Sequence, residues 1–400
     1  MGLIYHLSMT LCVVILLHFL VSCSAACTTD EDCSYMGKCS EGVCKCDPGF
    51  RGPTCAHIDN HTIPIKSGFK SDKFWIWGSQ VVFVDGEYHM FAAIFPRNLS
   101  FGNHWLTNGQ IARATSKTPI GPYQFVEIVL PYHMSTTNQQ YWDRSCMNPK
   151  IIQAKDGTFL LYYTGDTYNG STPTQLQPSH SENAQETQRV GLAYAPKITG
   201  PWSRLPDPII SPRPGKWDDR MTTNVAVTVL KNGTILAVYK ASTPPGSERQ
   251  STVCIGVASA QHWKGPYIRL QDDPILPCPK NSFNFEDPSI WYDQKSDTVH
   301  MFVKNFRGTV THAGYSGAHA YSKDNGHTWQ FTSPPLAYST VNTWSDGKIR
   351  KQSRMERPEV LLDSNGHVSH VFFATDMGLE GPEWWNMVIP VQSTSTKTFS

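Results

Sequence analysis

The sequence predicts an all-β chain: a five-bladed β-propeller preceded by a small disulfide-rich module. Three observations carry this. Five segments, starting at Trp77, Met147, Thr223, Glu286 and Glu356, share one plan of polar start, apolar strand, tight turn and second apolar strand. The first four are each followed by a third strand, QIARATS, GLAYAPK, IGVASAQ and GAHAYSK. Six cysteines crowd between Cys27 and Cys55, a stretch too short to bury a sufficient core without cross-links.

With Gly78, Asn148, Asn224, Asp287 and Arg357 taken as equivalent, the repeats are spaced by 70, 76, 63 and 70 residues. Repeats of this kind, built from short antiparallel strands, stack as blades around an axis. Asp85-Gly86, Asp156-Gly157, Asn232-Gly233 and Asn365-Gly366 are expected as primed hairpin turns, because glycine tolerates positive φ. Gln294–Asp297 is a longer turn in the fourth repeat. Three third strands run into a Gly-Pro-aromatic corner, at Gly121, Gly200 and Gly265. The fourth corner, SKDNGHTW from Ser322 to Trp329, matches the Asp-box pattern of sialidases and other propellers. That resemblance implies a structural role for Asp324.

Composition narrows the function. Aromatic residues make up 12% of the 400 and charged residues 17%, which suits a large core or an aromatic-lined surface rather than disorder. The formal net charge is +1 with no basic block, so neither nucleic acid nor an anionic membrane is indicated. Residues 1–26 read as a signal peptide, with an apolar run Leu11–Val21 before Ser24, Ala25 and Ala26. The n-region lacks Lys and Arg, and a retained anchor is the rival reading, but the run is shorter than the ~20 residues of a span. Secretion is expected, with no membrane span after signal removal. Sequons at Asn60, Asn98, Asn169 and Asn232 agree with it.

The stretch CKCDPGFRGPTC resembles the C-terminal half of an EGF-like module, with Gly49, Phe50 and Gly52 in place. The resemblance implies the pairs Cys27–Cys39, Cys33–Cys44 and Cys46–Cys55. Asp30-Glu31-Asp32 precedes the second cysteine rather than the first, as calcium-binding EGF modules require, and reads as a solvated loop. The expected boundaries are a signal at 1–26, the module at 27–56, a linker at 57–72 and the propeller at 73–400. Cys146, Cys254 and Cys278 remain; a Cys254–Cys278 bond is one option, leaving Cys146 a buried thiol, and the sequence leaves the choice open.

In a propeller the starts of the inner strands ring a central funnel, here Gly78, Asn148, Asn224, Asp287 and Arg357. Flanking them are Trp77, Met147, Thr223, Glu286 and Glu356, so the funnel should be polar and ligand-sized. Asp287-Pro288-Ser289-Ile290 resembles the Asp-Pro-Ser-Ile element of family 43 glycoside hydrolases, where that aspartate is the general base. With the repeats, residues 70–395 resemble the superfamily of five-bladed arabinanases, xylosidases and invertase-like enzymes. The departure is that Gly78, Asn148 and Asn224 stand where those enzymes present carboxylates.

Glycosidic hydrolysis needs one carboxyl to protonate the leaving oxygen and a second to act at the anomeric carbon or its water. Asp287 is expected as base or nucleophile and Glu356 as acid, with Glu286 beside them. Asp143 in YWDRSCMNP and Asp218 and Asp219 in KWDDRMTTN are runner-up acids on equivalent loops expected to enter the funnel, with solvated loop turns as the alternative reading. Asp346 lies on the matching loop before the fifth repeat. Asn148, Asn224, Arg220 and Arg357 are expected to bind substrate, Arg220 through hydroxyls or an anionic group. Trp77, Trp142 and Trp217 are candidates for sugar stacking, with inter-blade packing as the alternative. Adjacent strand residues face opposite sides, so Glu286 and Asp287 should play different parts. The alternative for Glu286 and Glu356 is a structural ion pair with Arg354, Arg357 or Lys304.

Three functions compete. The first is a secreted hydrolase of an extracellular glycan without a cofactor. The second is a non-catalytic carbohydrate-binding or adhesion protein using the same funnel, its EGF-like module contacting an extracellular protein. The third, weaker, is a transferase or phosphorylase using Arg144, Arg220, Arg354 and Arg357 for phosphate. No His-x-His or Cys-x-x-Cys pair lies outside the module, so a transition-metal site is not expected, while a structural Ca²⁺ on the axis stays open. No nucleophile-elbow, P-loop or dinucleotide motif occurs.

Overall fold

The computed structural model describes residues 27–60, 62–133, 141–167, 185–243, 252–280, 283–377 and 382–391. The signal segment 1–26 and the Asn169 sequon lie outside them. Four four-stranded sheets and one three-stranded sheet meander outward in chain order. Their inner strands are Phe74–Val84, Ser145–Gln153, Met221–Val229, Phe285–Asp293 and Glu356–Leu362. Each touches the inner strands of both neighbours, and that of blade five meets that of blade one, closing the ring. In blade four the inner strand and its partner Thr298–Asn305 are buried throughout, because both faces of a blade pack on neighbours.

Of the four Asx-Gly turns expected to be primed, one is. Asp85 and Gly86 both have positive φ, 50° and 80°. At the other three Asx-Gly turns only the glycine does, and Gly157 N donates to Ala154 O at 2.9 Å while Ala154 N donates to Thr158 O at 2.8 Å. That is a type I turn with a glycine bulge, the three-residue hairpin. The Asp-box behaves as a structural turn: Asp324 accepts from Ser322 Oγ and Thr328 N, both at 2.8 Å, and Trp329 packs against an inter-blade cluster.

The stretch read as a linker, 57–72, is paired in part with the module, where His57–Ile58 meets Phe50–Arg51, and in part with blade five and the hairpin before it. Phe69 and Asn386 exchange backbone bonds of 3.1 and 3.2 Å, Asn60 bridges Val391, and Ile63 N donates to Thr343 O. The preceding Gly68 has φ +73°, and a Cβ there would lie 1.8 Å from Asn386 O, so only glycine fits. The chain before blade one thus pairs with the outer strand Pro382–Pro390 of blade five.

The N-terminal module carries the bonds Cys27–Cys39, Cys33–Cys44 and Cys46–Cys55. It docks on blades four and five: Phe50 stacks on His319 with centroids 5.8 Å apart, and Tyr35 meets Tyr321 edge-on at 5.1 Å. Tyr321 Oη donates to Glu31, and Thr54 Oγ1 to Ser333 O at 2.6 Å. Module and blades share one apolar cluster containing Phe50, Trp291, Phe302 and Phe373. The open cysteine question is resolved: Cys254 and Cys278 are bonded, and Cys146 is a buried thiol. Among the described residues no helix is long and apolar enough to cross a membrane.

Candidate active site

Every inner strand breaks its ladder at one equivalent place. There sit Gly78, Asn148, Asn224, Asp287 and Arg357, with φ of 54°, 54°, 50°, 56° and 54°. Gly, Asn and Asp visit this region readily, whereas Arg357 does so at a cost of about 1–2 kcal/mol. The ring is tied together. Asn148 Nδ2 donates to Asn224 Oδ1 and Asn224 Nδ2 to Asp287 Oδ1, both at 2.9 Å. Arg357 N donates to Asp287 Oδ2 at 3.2 Å, and its guanidinium lies 2.9 Å from Oδ1. Gly78 leaves the necessary room, since a Cβ would stand 3.1 Å from Asn148 Oδ1 and 3.4 Å from Arg357 Cγ.

Beneath the ring Lys150 pairs with Glu359, which also accepts from Ser289 Oγ at 3.3 Å. The axis is therefore plugged by polar side chains, and Asp287 is only 2% exposed.

Above the ring opens a cleft of about 460 Å³. Trp77, Met147, Glu286 and Glu356, each one residue before the ring, reach its wall. Opposite that position on the second strands stand Ala93, Thr164, Lys240, Lys304 and Ala374. Each reaches toward the next blade. Thr164 Oγ1 meets Thr223 Oγ1 at 3.0 Å, Lys240 Nζ donates to Glu286 at 2.9 Å, and Lys304 Nζ donates to Glu286 at 2.8 Å and to Glu356. Around the Ala93 and Ala374 positions the contacts are apolar, with Trp77 and Met147 in one cluster.

The two cleft carboxyls are pushed apart. Burial works to raise the Glu286 pKa, but Lys240 and Lys304 outweigh it and hold the carboxyl well below the usual range. For Glu356 burial prevails over Lys304, helped by the charges of Glu286 and Asp287, and its pKa is raised. Burial disfavours the Lys304 charge, yet Glu286 and Glu356 override that and keep the ammonium protonated.

One wall of the cleft is aromatic: Trp77, Phe95, Phe101, Trp105 and Trp384, faced by Phe283 and Phe306. Phe101 and Trp384 stack with centroids 4.4 Å apart, and Trp77 meets Trp384 edge-on at 5.3 Å. Such rings offer flat apolar faces of the kind sugars lie against.

The other expected residues sit elsewhere. The Trp-Asp loops do not enter the funnel; they fasten blades. Trp142 stacks on Tyr163 at 6.1 Å, and Asp143 accepts from Tyr163 Oη at 2.6 Å and Arg204 at 2.8 Å. Trp217 stacks on Tyr239 at 6.2 Å, and Asp218 accepts from Tyr239 Oη at 3.0 Å and Arg213 at 2.9 Å. Gly191 and Gly256 make room for these stacks, since a Cβ at either would come 2.5 Å from the tyrosine ring. Asp219 only accepts from Gly215 N at 2.9 Å, and Asp346 pairs with Arg350 on an outlying hairpin. Arg220 turns to Glu186. Of the arginines considered for phosphate, Arg354 and Arg357 line the cleft and Arg144 and Arg220 do not. Asn148 lines it, while Asn224 and Asp287 lie in the small cavity at the axis.

Sequence reasoning missed Lys240, Phe101, Trp105, Phe283, Phe306 and Trp384. A signal for Lys240 existed: it and Lys304 end the second strands ILAVYKAS and TVHMFVKN at equivalent places. The aromatic residues come from loops and an outer strand, which the repeat does not align.

No family model matches the chain. Its fold is that of the five-bladed glycoside hydrolases. Zg3597, a family 117 glycoside hydrolase of Zobellia galactanivorans, superposes with TM-score 0.56 at 16% identity, covering 86% of this chain and 95% of that one. Endo-1,5-alpha-L-arabinanase of Thermotoga petrophila gives 0.52 at 15%, covering 83% and 77%. CoXyl43, a β-xylosidase/α-arabinofuranosidase from a compost metagenome in complex with xylotriose, gives 0.53 at 9%, covering 84% and 96%.

Proposed function

We propose that the protein is a secreted glycoside hydrolase acting on an extracellular glycan in the cleft above the ring. Glu356 is the acid and Glu286 the ionised partner at the anomeric carbon. One observation supports this most: two carboxyls on the cleft wall share Lys304, yet their surroundings push their pKa values in opposite directions, the signature of an acid and its partner. Asp287 gives way as base because the ring holds it beneath the cleft floor. Two oxygens on one ammonium can stand at most about 6 Å apart at ordinary hydrogen-bond lengths. That suits the ~5–5.5 Å of retaining enzymes rather than the ~6.5–9.5 Å of inverting ones. Glu286 then attacks the anomeric carbon while Glu356 protonates the leaving oxygen, and water releases the glycosyl group. The carbohydrate-active neighbours agree with a sugar ligand, and four disulfides agree with an oxidising compartment. Asn60, Asn98 and Asn232 are exposed, as glycan acceptors must be.

The test is a screen of the secreted protein against aryl glycosides and oligosaccharides, with Glu286→Gln and Glu356→Gln in parallel. Sugar release lost in both variants while they remain folded supports the assignment. A second reading, a lectin with the EGF-like module holding a protein partner, is favoured by one feature. Glu286 and Glu356 occupy the inter-blade position that the Thr164–Thr223 pair fills in blades two and three, so ion pairing alone accounts for them. Glycan binding without turnover in the wild type would establish it.

A further inference from the structure

We propose that the cleft recognises a glycan bearing an anionic substituent, a carboxylate or a sulfate ester, seated against Arg354 and Arg357. The proposal depends on the hydrolase reading only for turnover. Among the described residues, the charged groups on the cleft wall are Lys240, Arg354 and Arg357 against Glu286 and Glu356. The two acids are already answered: Lys240 lies 2.9 Å from Glu286, and the fully buried Lys304 bridges Glu286 and Glu356 from beneath. The arginines stand beside these pairs with counter-charges of their own. Both are braced from behind, Arg357 by Asp287 at 2.9 Å and Arg354 by Asp376 at 3.3 Å, with Glu356 3.9 Å from Arg354.

Arg354 is the accessible one of the two, and Arg357 is mostly buried. The Arg354 side chain is 49% exposed, and its guanidinium lies 5.6 Å from the Trp384 ring, beside the aromatic wall. A guanidinium laid over an indole keeps its N–H edges free, and that planar fork matches a carboxylate or sulfate. Arg357 lines the same cleft, and its Nε–H has no acceptor among the described residues. Apolar walls of low dielectric strengthen the field of such cations inside a cleft. A neutral sugar would find stacking faces and hydroxyl partners here but would leave the outward N–H edge of Arg354 without a charged acceptor.

The experiment uses the full secreted protein and three oligosaccharides of one backbone and length: neutral, uronate-bearing and sulfated. Calorimetric affinity and reducing-sugar release are read at low and high salt, for wild type, Arg354→Ala and Arg354→Lys, with melting midpoints checking the fold. The expected result is at least one anionic ligand bound about tenfold more tightly than the neutral one, as a charge-assisted bidentate contact would give. The ratio should shrink with salt and collapse in Arg354→Ala, and Arg354→Lys should restore it only in part. Which anionic ligand shows it names the substituent. Neutral glycan bound and cleaved as well as both anionic ones overturns this proposal and leaves the hydrolase reading standing. Anionic glycan bound but not cleaved supports this proposal and overturns the hydrolase reading. No binding of any of the three overturns both.

Discussion

The Lys304 ammonium, fully buried in blade four, lies 2.8 Å from Glu286 Oε1 on its own blade and also holds Glu356 Oε1 on blade five. One cation thus fixes two cleft carboxyls and a blade junction together. Removing one partner of a buried ion pair leaves charge without compensation, at a cost of about 3–5 kcal/mol. Lys304→Met should lose about that much in denaturant unfolding, and it should also abolish turnover, because Glu286 then loses half of what keeps it ionised.

Asp287 serves the ring rather than the cleft. Asp287→Asn would strip Arg357 of its counter-charge and weaken the chain from Asn148 through Asn224. The expected outcome is a lower melting midpoint with activity per folded molecule largely kept. Glu356→Gln should instead cut turnover by about 10²–10⁴-fold. Specific activity against folded fraction separates the two, and a loss in Asp287→Asn matching that of Glu356→Gln would return the base role to Asp287.

The Trp-Asp loops make a packing prediction. A Cβ at Gly256 would stand 2.5 Å from Tyr239 Cζ, within the stack that Trp217 completes. Gly256→Ala should destabilise by about 1–3 kcal/mol, the usual cost of overpacking. Gly191→Ala, facing Tyr163 and Trp142, should behave alike. Thermal midpoints of both variants check this.

Stability should fall in mild acid. His300 and His319 are buried with ring nitrogens 3.1 Å apart beneath Trp291, and His319 stacks on Phe50 of the N-terminal module. Burial lowers the His300 pKa to about 3 and that of His319 well below normal. Unfolded histidine takes its proton near ~6.5, so below that value the unfolded chain binds more protons than the native one. Stability is therefore fully present above about pH 6.5 and drains away as pH falls toward the native values. Unfolding free energy measured from pH ~7 down to ~4 should decline, and His319→Phe should flatten the decline.

The sequence by itself determined the five blades, since a repeat that cannot bury its own faces must stack, and Gly78, Asn148, Asn224, Asp287 and Arg357 marked their register. It determined the module's crowded cysteines and the Asp-box corner for the same reason: spacing along the chain suffices to specify them. Only the tertiary structure decided which acids face the cleft. Glu286 and Asp287 are neighbours in sequence, yet the positive φ at Asp287 turns it into the ring and leaves Glu286 on the cleft wall. Likewise Trp142 and Trp217 resembled sugar platforms until tyrosines and glycines on adjacent strands claimed them, while Trp105 and Trp384, outside the repeat, supplied the wall. The bond between Cys254 and Cys278 followed from the loop after blade three folding back on its third strand, and the pairing of Asn60 and Phe69 with blade five followed from closure of the ring, which brings together strands that no local pattern connects.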